Sequence, residues 1–136
     1  MIIASTEGYR TQLEAIINQV SDEPVELIFV DDVATWCSER KGENRGNPSA
    51  KAIRDSQTKR AGILLRKVLD SDRINGIKGR LDAGGFWAES SRLDTPEKFV
   101  THLVLHELAH LLNNWGQENE EQCDAWAFEK MDNLQI

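Results

Sequence analysis

The chain has 136 residues, of which 40% are apolar and 29% charged, so a single globular domain spanning residues 1–136 with its own core is expected. No apolar run approaches the roughly 20 residues of a membrane span, and the first residues lack a secretory-signal pattern, so no membrane partner is expected. Two cysteines are too few for a disulfide framework, which favours a reduced, cytoplasmic protein.

The net charge of −7 is distributed unevenly along the chain. The segment 39–80 holds 12 Lys and Arg against 5 Asp and Glu, a local charge of +7, so the remainder carries −14. An acidic protein is a poor general binder of nucleic acid, and a run of basic residues usually lines the solvent face of a helix. Nucleic acid is therefore not expected as a general partner, and any binding would use the basic segment 39–80.

The first half of the chain alternates helical and strand patterns. Apolar residues at helical spacing predict a helix over residues 7–20, and the β-branched run VELIFV predicts a buried strand at 25–30. A short helix is expected near residues 33–37, followed by a polar, exposed loop over 38–51. Apolar positions between 52 and 69 predict a second long helix.

In the second half, Asn75-Gly76 is a turn signal, and two short strands are expected around residues 82–85. Ala88 to Ser91 would then form an edge strand able to pair with an extended peptide.

Two helices are expected at the end of the chain. The first runs from about Pro96 to Leu112, with Thr95 as its cap and Gly116 as a left-handed stop. Its sequence is apolar nearly all round, which predicts burial on most sides. The last helix covers about residues 119–131.

The segment HELAH within the buried helix carries the chemistry. His106 and His110 are four residues apart and so lie on one face of the helix, where two imidazoles can reach one zinc ion. Glu107 lies beside the pair and is close enough to hold a water at the metal. Burying two histidines and a glutamate among Leu and Val is costly unless they are paired or bind a metal, which argues against a chance match.

A catalytic zinc needs a third protein ligand and an open fourth position. No further histidine follows, so the candidates are Glu118, Glu120 and Glu121. Glu120 is favoured because Asp124 lies one helical turn later, where it can accept the free N–H of a ligand histidine. An acidic run of this kind is otherwise typical of a solvated helix end.

HELAH followed by Glu120, Cys123 and Asp124 resembles the HExxH…ExxAD and HELGH…ExEANxFA patterns of the gluzincin zinc metallopeptidases, most of all the minigluzincin-like and ImmA/IrrE-like small members. The resemblance covers about residues 84–131. It implies a Zn²⁺ cofactor held by His106, His110 and Glu120, with Cys123 at the position of a small alanine. It also implies an α+β, minimal zincin-like domain whose small twisted sheet packs on the HExxH helix.

The predicted function is zinc-dependent hydrolysis of peptide bonds in a protein or peptide substrate. Zinc would activate water, Glu107 would act as general base, and Asp124 would orient a ligand histidine. His102 is most simply a core histidine, with a role at the substrate or transition state as the alternative. Arg80, Arg92 and Tyr9 are rivals for that role.

Two other functions compete with this prediction. One is a zinc-binding regulatory module without catalysis, which leaves Glu107 without a purpose. The other is a nucleic-acid-linked metalloprotease of the SprT-like kind. The basic segment motivates this alternative, whereas the missing third histidine and the acidic remainder of the chain weaken it.

Overall fold

The computed structural model describes residues 1–40 and 46–136, and these form a mixed α+β fold with a three-stranded sheet and six α-helices. In chain order the elements are a 3-10 turn at Thr6–Tyr9, α1 (Arg10–Val20), β1 (Val25–Val30), α2 (Val33–Glu39), β2 (Ala50–Arg54), β3 (Ala61–Arg66), α3 (Ser71–Ala83), α4 (Trp87–Ser90), α5 (Pro96–Asn113), a 3-10 turn at Gln117–Asn119, and α6 (Glu120–Asn133).

The sheet has the order β1-β3-β2, so β3 is its central strand. It pairs in parallel with β1 and antiparallel with β2. Five successive residues of β3, from Ala61 to Leu65, are buried because both faces of the strand are covered. The edge strand β2 runs beside α5, whose residues 99–109 are all buried. The expectation that this helix is enclosed on most sides is confirmed.

The main core lies between the sheet and helices α1, α3, α5 and α6. A smaller cluster on the other side of the sheet joins Leu64 to α2 through Val33 and Cys37. Each fully buried Leu, Ile or Phe contributes roughly 1.5–3 kcal/mol relative to an exposed side chain. The two clusters therefore hold the sheet between layers and fix α5 against it.

The predicted helix over 52–69 is wrong, because this stretch forms the hairpin of β2 and β3. The run Ile63-Leu64-Leu65 is buried on both sides of a central strand, and such a continuous apolar run has no period that distinguishes a strand from a buried helix. Asp55 organises the hairpin turn by accepting the backbone N–H groups of Gln57 and Thr58.

The predicted strands around 82–85 are also wrong, since α3 and α4 occupy this region. Asp70 caps α3 by accepting the N–H of Arg73, and Ile74 and Leu81 bury one face of the helix. Asn75-Gly76 consequently lies inside a helix rather than in a turn. Ala88 to Ser91 cannot serve as an edge strand, and that position beside α5 belongs to β2.

The other predicted elements are confirmed with small changes at their ends. Thr95 accepts the N–H of Lys98 and caps α5 as expected. The left-handed residue that ends α5 is Asn114, with φ 53°, whereas Gly116 is extended. Asparagine tolerates this conformation, so the glycine is not needed for the stop.

Of the predicted loop over 38–51, residues 41–45 lie outside the described ranges. The predicted ends of the loop are wrong, because Ser38 and Glu39 belong to α2, and Ala50 and Lys51 belong to β2. Its last part approaches β2 with Asn47 held by Asp32, the capping residue of α2. Among the helices of the described ranges, none combines the length and apolarity needed to cross a membrane.

Candidate metal centre

Two histidines one turn apart on α5 face the same cleft. His106 is 4% exposed, and the side chain of His110 is 14% exposed. Their ring centroids lie 5.2 Å apart in an edge-on arrangement. The i, i+4 spacing of the motif therefore brings the two imidazoles together, as the sequence predicted.

Each histidine is anchored through its Nδ1 atom. The Nδ1 of His106 lies 2.6 Å from Oδ1 of Asp124, and the Nδ1 of His110 donates to the backbone carbonyl of Trp115 at 2.8 Å. Histidines that bind metals usually donate their second ring N–H to a carboxylate or a carbonyl in this way, which fixes the tautomer and the ring orientation. Both Nε2 atoms are thereby directed to one point.

The carboxylate of Glu120 occupies that point. Its Oε2 lies 2.9 Å from Nε2 of His106, and its Oε1 lies 2.9 Å from Nε2 of His110. Arg80 from α3 approaches the same carboxylate at 3.3 Å and Oδ2 of Asp124 at 3.4 Å. Three side chains from α3 and α6 thus meet around the histidine pair of α5.

The protonation of these groups follows from their hydrogen bonds. Burial works against the charged forms, but the hydrogen bonds to both histidines hold the pKa of Glu120 well below its usual range. Burial likewise opposes a charged His106, yet the carboxylates of Asp124 and Glu120 raise its pKa to about 9. The hydrogen bond to Glu120 also raises the pKa of His110. The pair of imidazoles therefore sits in a site that favours positive charge.

Glu107 lies next to the histidines and is 8% exposed. Within the described residues its Oε2 atom is buried and has no hydrogen-bond partner. Burial raises the pKa of its carboxyl to about 7. A buried polar atom without a partner costs stability, and such atoms are concentrated where function requires them.

Cys123 belongs to the same group of side chains. The potential ligand atoms of His106, His110 and Cys123 all lie within 4.8 Å of one another. The thiol is fully buried, and burial together with the neighbouring carboxylates raises its pKa to about 12. The sequence predicted a small packing residue on the inward face of α6, one turn from Glu120, and did not predict its proximity to the histidines.

The cleft in front of these residues has a volume of about 810 Å³. Helix α5 forms its floor, and β2 with the preceding residues 47–49 forms one wall. Helix α3 and residues 114–117 complete the lining. The edge strand β2 and the histidine pair thus line the same cleft.

The structure brings together five of the six predicted site residues: His106, Glu107, His110, Glu120 and Asp124. His102 does not line the cleft. It is 1% exposed, its ring packs 4.3 Å from that of Phe128, and its Nε2 lies 3.7 Å from Asp124 without a hydrogen bond in the described structure. This placement matches a core histidine, and burial lowers its pKa to about 3.

Among the three rivals of His102, Arg80 alone lines the cleft, as far as the described residues show. Arg92 pairs with Asp132 at 3.0 Å, and Tyr9 packs against the core. The sequence gave no signal for two contacts. One is the approach of Arg80 to Glu120 and Asp124, and the other is the hydrogen bond from His110 to the backbone carbonyl of Trp115. Both depend on how separate helices meet, which local spacing does not encode.

Comparison with known proteins identifies no relative: no family model, no curated protein and no solved structure matches the chain. The geometry of the site and the motif resemblance are therefore the grounds for a functional proposal.

Proposed function

We propose that the cleft is the active site of a zinc-dependent metallopeptidase related to the gluzincins. His106, His110 and Glu120 are the zinc ligands and Glu107 is the general base. The observation that carries the proposal is the convergence of both Nε2 atoms on one carboxylate, at 2.9 Å each, with the unpartnered Oε2 of Glu107 buried beside them.

The donor set fits zinc. Imidazole nitrogen and carboxylate oxygen are among its usual ligands, and three protein ligands are typical of a catalytic centre. Both histidines present Nε2 because Asp124 and the Trp115 carbonyl hold their Nδ1 atoms. When bound, zinc would supply Lewis acidity, which polarises the scissile carbonyl and lowers the pKa of water.

The protein residues would move the proton. Glu107 accepts a proton from the attacking water and passes it to the leaving amine. Burial raises the pKa of this carboxyl in the metal-free site, which strengthens it as a proton acceptor. Asp124 keeps the imidazole of His106 in place during these steps.

A peptide fits the cleft better than a compact small molecule. The edge strand β2 forms one wall, and an extended chain can add to a sheet edge through its backbone hydrogen bonds. Arg80 lines the cleft beside Glu120, where a cationic donor can stabilise a developing oxyanion. We therefore propose a protein or peptide substrate, cleaved in a reducing compartment such as the cytoplasm, which suits two buried free thiols.

Replacement of Glu107 by glutamine tests the proposal. We expect Glu107→Gln to retain one zinc per chain and to lose peptide hydrolysis by roughly 10²–10⁴-fold, because the amide cannot accept the proton. Zinc is measured by elemental analysis after gel filtration, and hydrolysis with a fluorogenic peptide library.

Two variants serve as references for this experiment. His106→Ala removes a ligand and is expected to lose both zinc and activity, whereas His102→Ala, one turn earlier on α5, is expected to retain zinc. Full activity in Glu107→Gln, or full zinc content in His106→Ala, would contradict the proposal.

A further inference from the structure

Cys123 lies against the histidine pair, although the proposed ligand set does not include it. It is on α6, three residues after Glu120, and Asp124 is four residues after Glu120, so both lie on the side of the helix that carries Glu120. Glu120 contacts both histidines and Asp124 contacts His106. The thiol therefore lies on the helix face that contacts the proposed ligand histidines.

The distances are close to those of a common coordination sphere. In a tetrahedral zinc site, bonds of about 2.1 Å to nitrogen and 2.3 Å to sulfur place the donor atoms about 3.6 Å apart. The ligand atoms of Cys123, His106 and His110 lie within 4.8 Å of one another. Side-chain movements of up to about 1 Å therefore bring all three donors into reach of one ion.

Three carboxylates also act on this thiol. Besides burial, Glu120, Glu107 and Asp124 raise the pKa of Cys123, and Arg80 lowers it. The Oε2 atom of Glu107 is buried and has no hydrogen-bond partner within the described residues. A metal ion between the histidines and the thiol would give this oxygen a positively charged neighbour.

We propose that Cys123 is a fourth protein ligand of this ion, so that the resting site is closed by a thiolate and the peptidase is latent. The inference rests on the proposed function, since it adds a ligand to the same zinc site. Coordination replaces the S–H bond with a metal–sulfur bond and releases one proton to solvent. Four protein ligands leave no open position, so catalysis requires Cys123 to withdraw.

X-ray absorption at the zinc edge tests this ligand directly. In the zinc-loaded protein we expect one sulfur scatterer at about 2.3 Å together with nitrogen and oxygen scatterers. Cys123→Ala is expected to retain zinc and lose the sulfur. Cys37→Ala is the matched control, because Cys37 is equally buried but belongs to the separate cluster on α2, and it is expected to keep the sulfur.

The closed state is tested with azide as an external ligand of the cobalt-substituted protein. We expect azide to change the visible spectrum of Cys123→Ala at concentrations that leave the wild-type spectrum unchanged. An equal response in both proteins would overturn the closed state.

The failures of the two proposals are distinguishable. Bound zinc without sulfur in the wild-type protein, or sulfur that is lost in Cys37→Ala instead, overturns the role of Cys123 and leaves the peptidase proposal intact. A wild-type protein that binds no zinc overturns both.

Discussion

His106 and His110 are equivalent in the motif but are held by different partners. Asp124, a buried carboxylate, fixes His106, whereas a backbone carbonyl fixes the more exposed His110. A charged acceptor makes the imidazole more basic and a better ligand than a neutral carbonyl does. His106 is therefore expected to bind a metal ion more strongly than His110. The carboxylate of Glu120 contacts both rings.

Mutation can distinguish the role of Glu120 as a zinc ligand from that of the neighbouring glutamates. Adjacent helical residues point about 100° apart, so Glu120 faces the histidines while Glu121 is exposed. We expect Glu120→Ala to lower zinc affinity by more than about tenfold, which is about 1.4 kcal/mol. A competition titration with a chromophoric zinc chelator measures this change.

Glu121→Ala and Glu118→Ala are matched controls, because each removes the same charge from an exposed position of the same acidic run. Both are expected to bind zinc within about twofold of the wild-type protein, since exposed charges contribute little. A larger loss in Glu121→Ala than in Glu120→Ala would show that the third ligand is misassigned.

At the level of elements, local signals predicted α1, β1, α2, α5 and α6 but not the middle of the chain. The elements that were predicted have either apolar residues at regular helical spacing, as in α1, or residues that favour a helix start, as Thr95 and Pro96 do in α5. Helix α3 contains Gly76 and Gly79, which disfavour a helix locally, and it forms because Ile74 and Leu81 pack into the core. Strand β3 is buried on both faces and so has no alternating pattern.

The start of α5 depends on a local interaction whose contribution is measurable. Thr95 accepts the N–H of Lys98 at 3.2 Å, and the site histidines lie more than two turns further along the helix. We expect Thr95→Ala to lower the free energy of unfolding by about 1 kcal/mol, because the first turn loses its cap. Urea denaturation followed by circular dichroism measures the change.

Thr95→Ser keeps the capping oxygen and is expected to be within about 0.5 kcal/mol of the wild-type protein. Zinc affinity should be unchanged in both variants, since neither touches the site. Equal destabilisation by alanine and serine would mean that the hydroxyl does not cap α5.

At the scale of the whole molecule, ion pairs between distant parts of the chain offset part of the charge asymmetry of the sequence. Arg54 pairs with Glu23 at 2.7 Å and Arg66 with Asp32 at 3.0 Å, so basic residues of the segment 39–80 meet acidic residues outside it. Arg80 turns to Glu120 in the same way. The candidate site was predictable because its spacing is local, whereas these long-range pairs depend on the topology that the sequence did not reveal.

This internal pairing predicts weak binding of nucleic acid. Counterion release makes such binding fall steeply with salt, by about 10³–10⁵ between about 50 and 200 mM for a protein with 6–10 phosphate contacts. Because several arginines are already paired, we expect a labelled DNA duplex to bind weakly at about 50 mM salt and not measurably at about 200 mM. Fluorescence anisotropy measures the affinity at both salt concentrations.

Two charge reversals show whether the basic segment is responsible. Arg60 is exposed in the segment 39–80, and Arg60→Glu should weaken the low-salt binding more than Arg10→Glu, the same charge reversal on α1. Tight binding at the higher salt would instead support the SprT-like alternative.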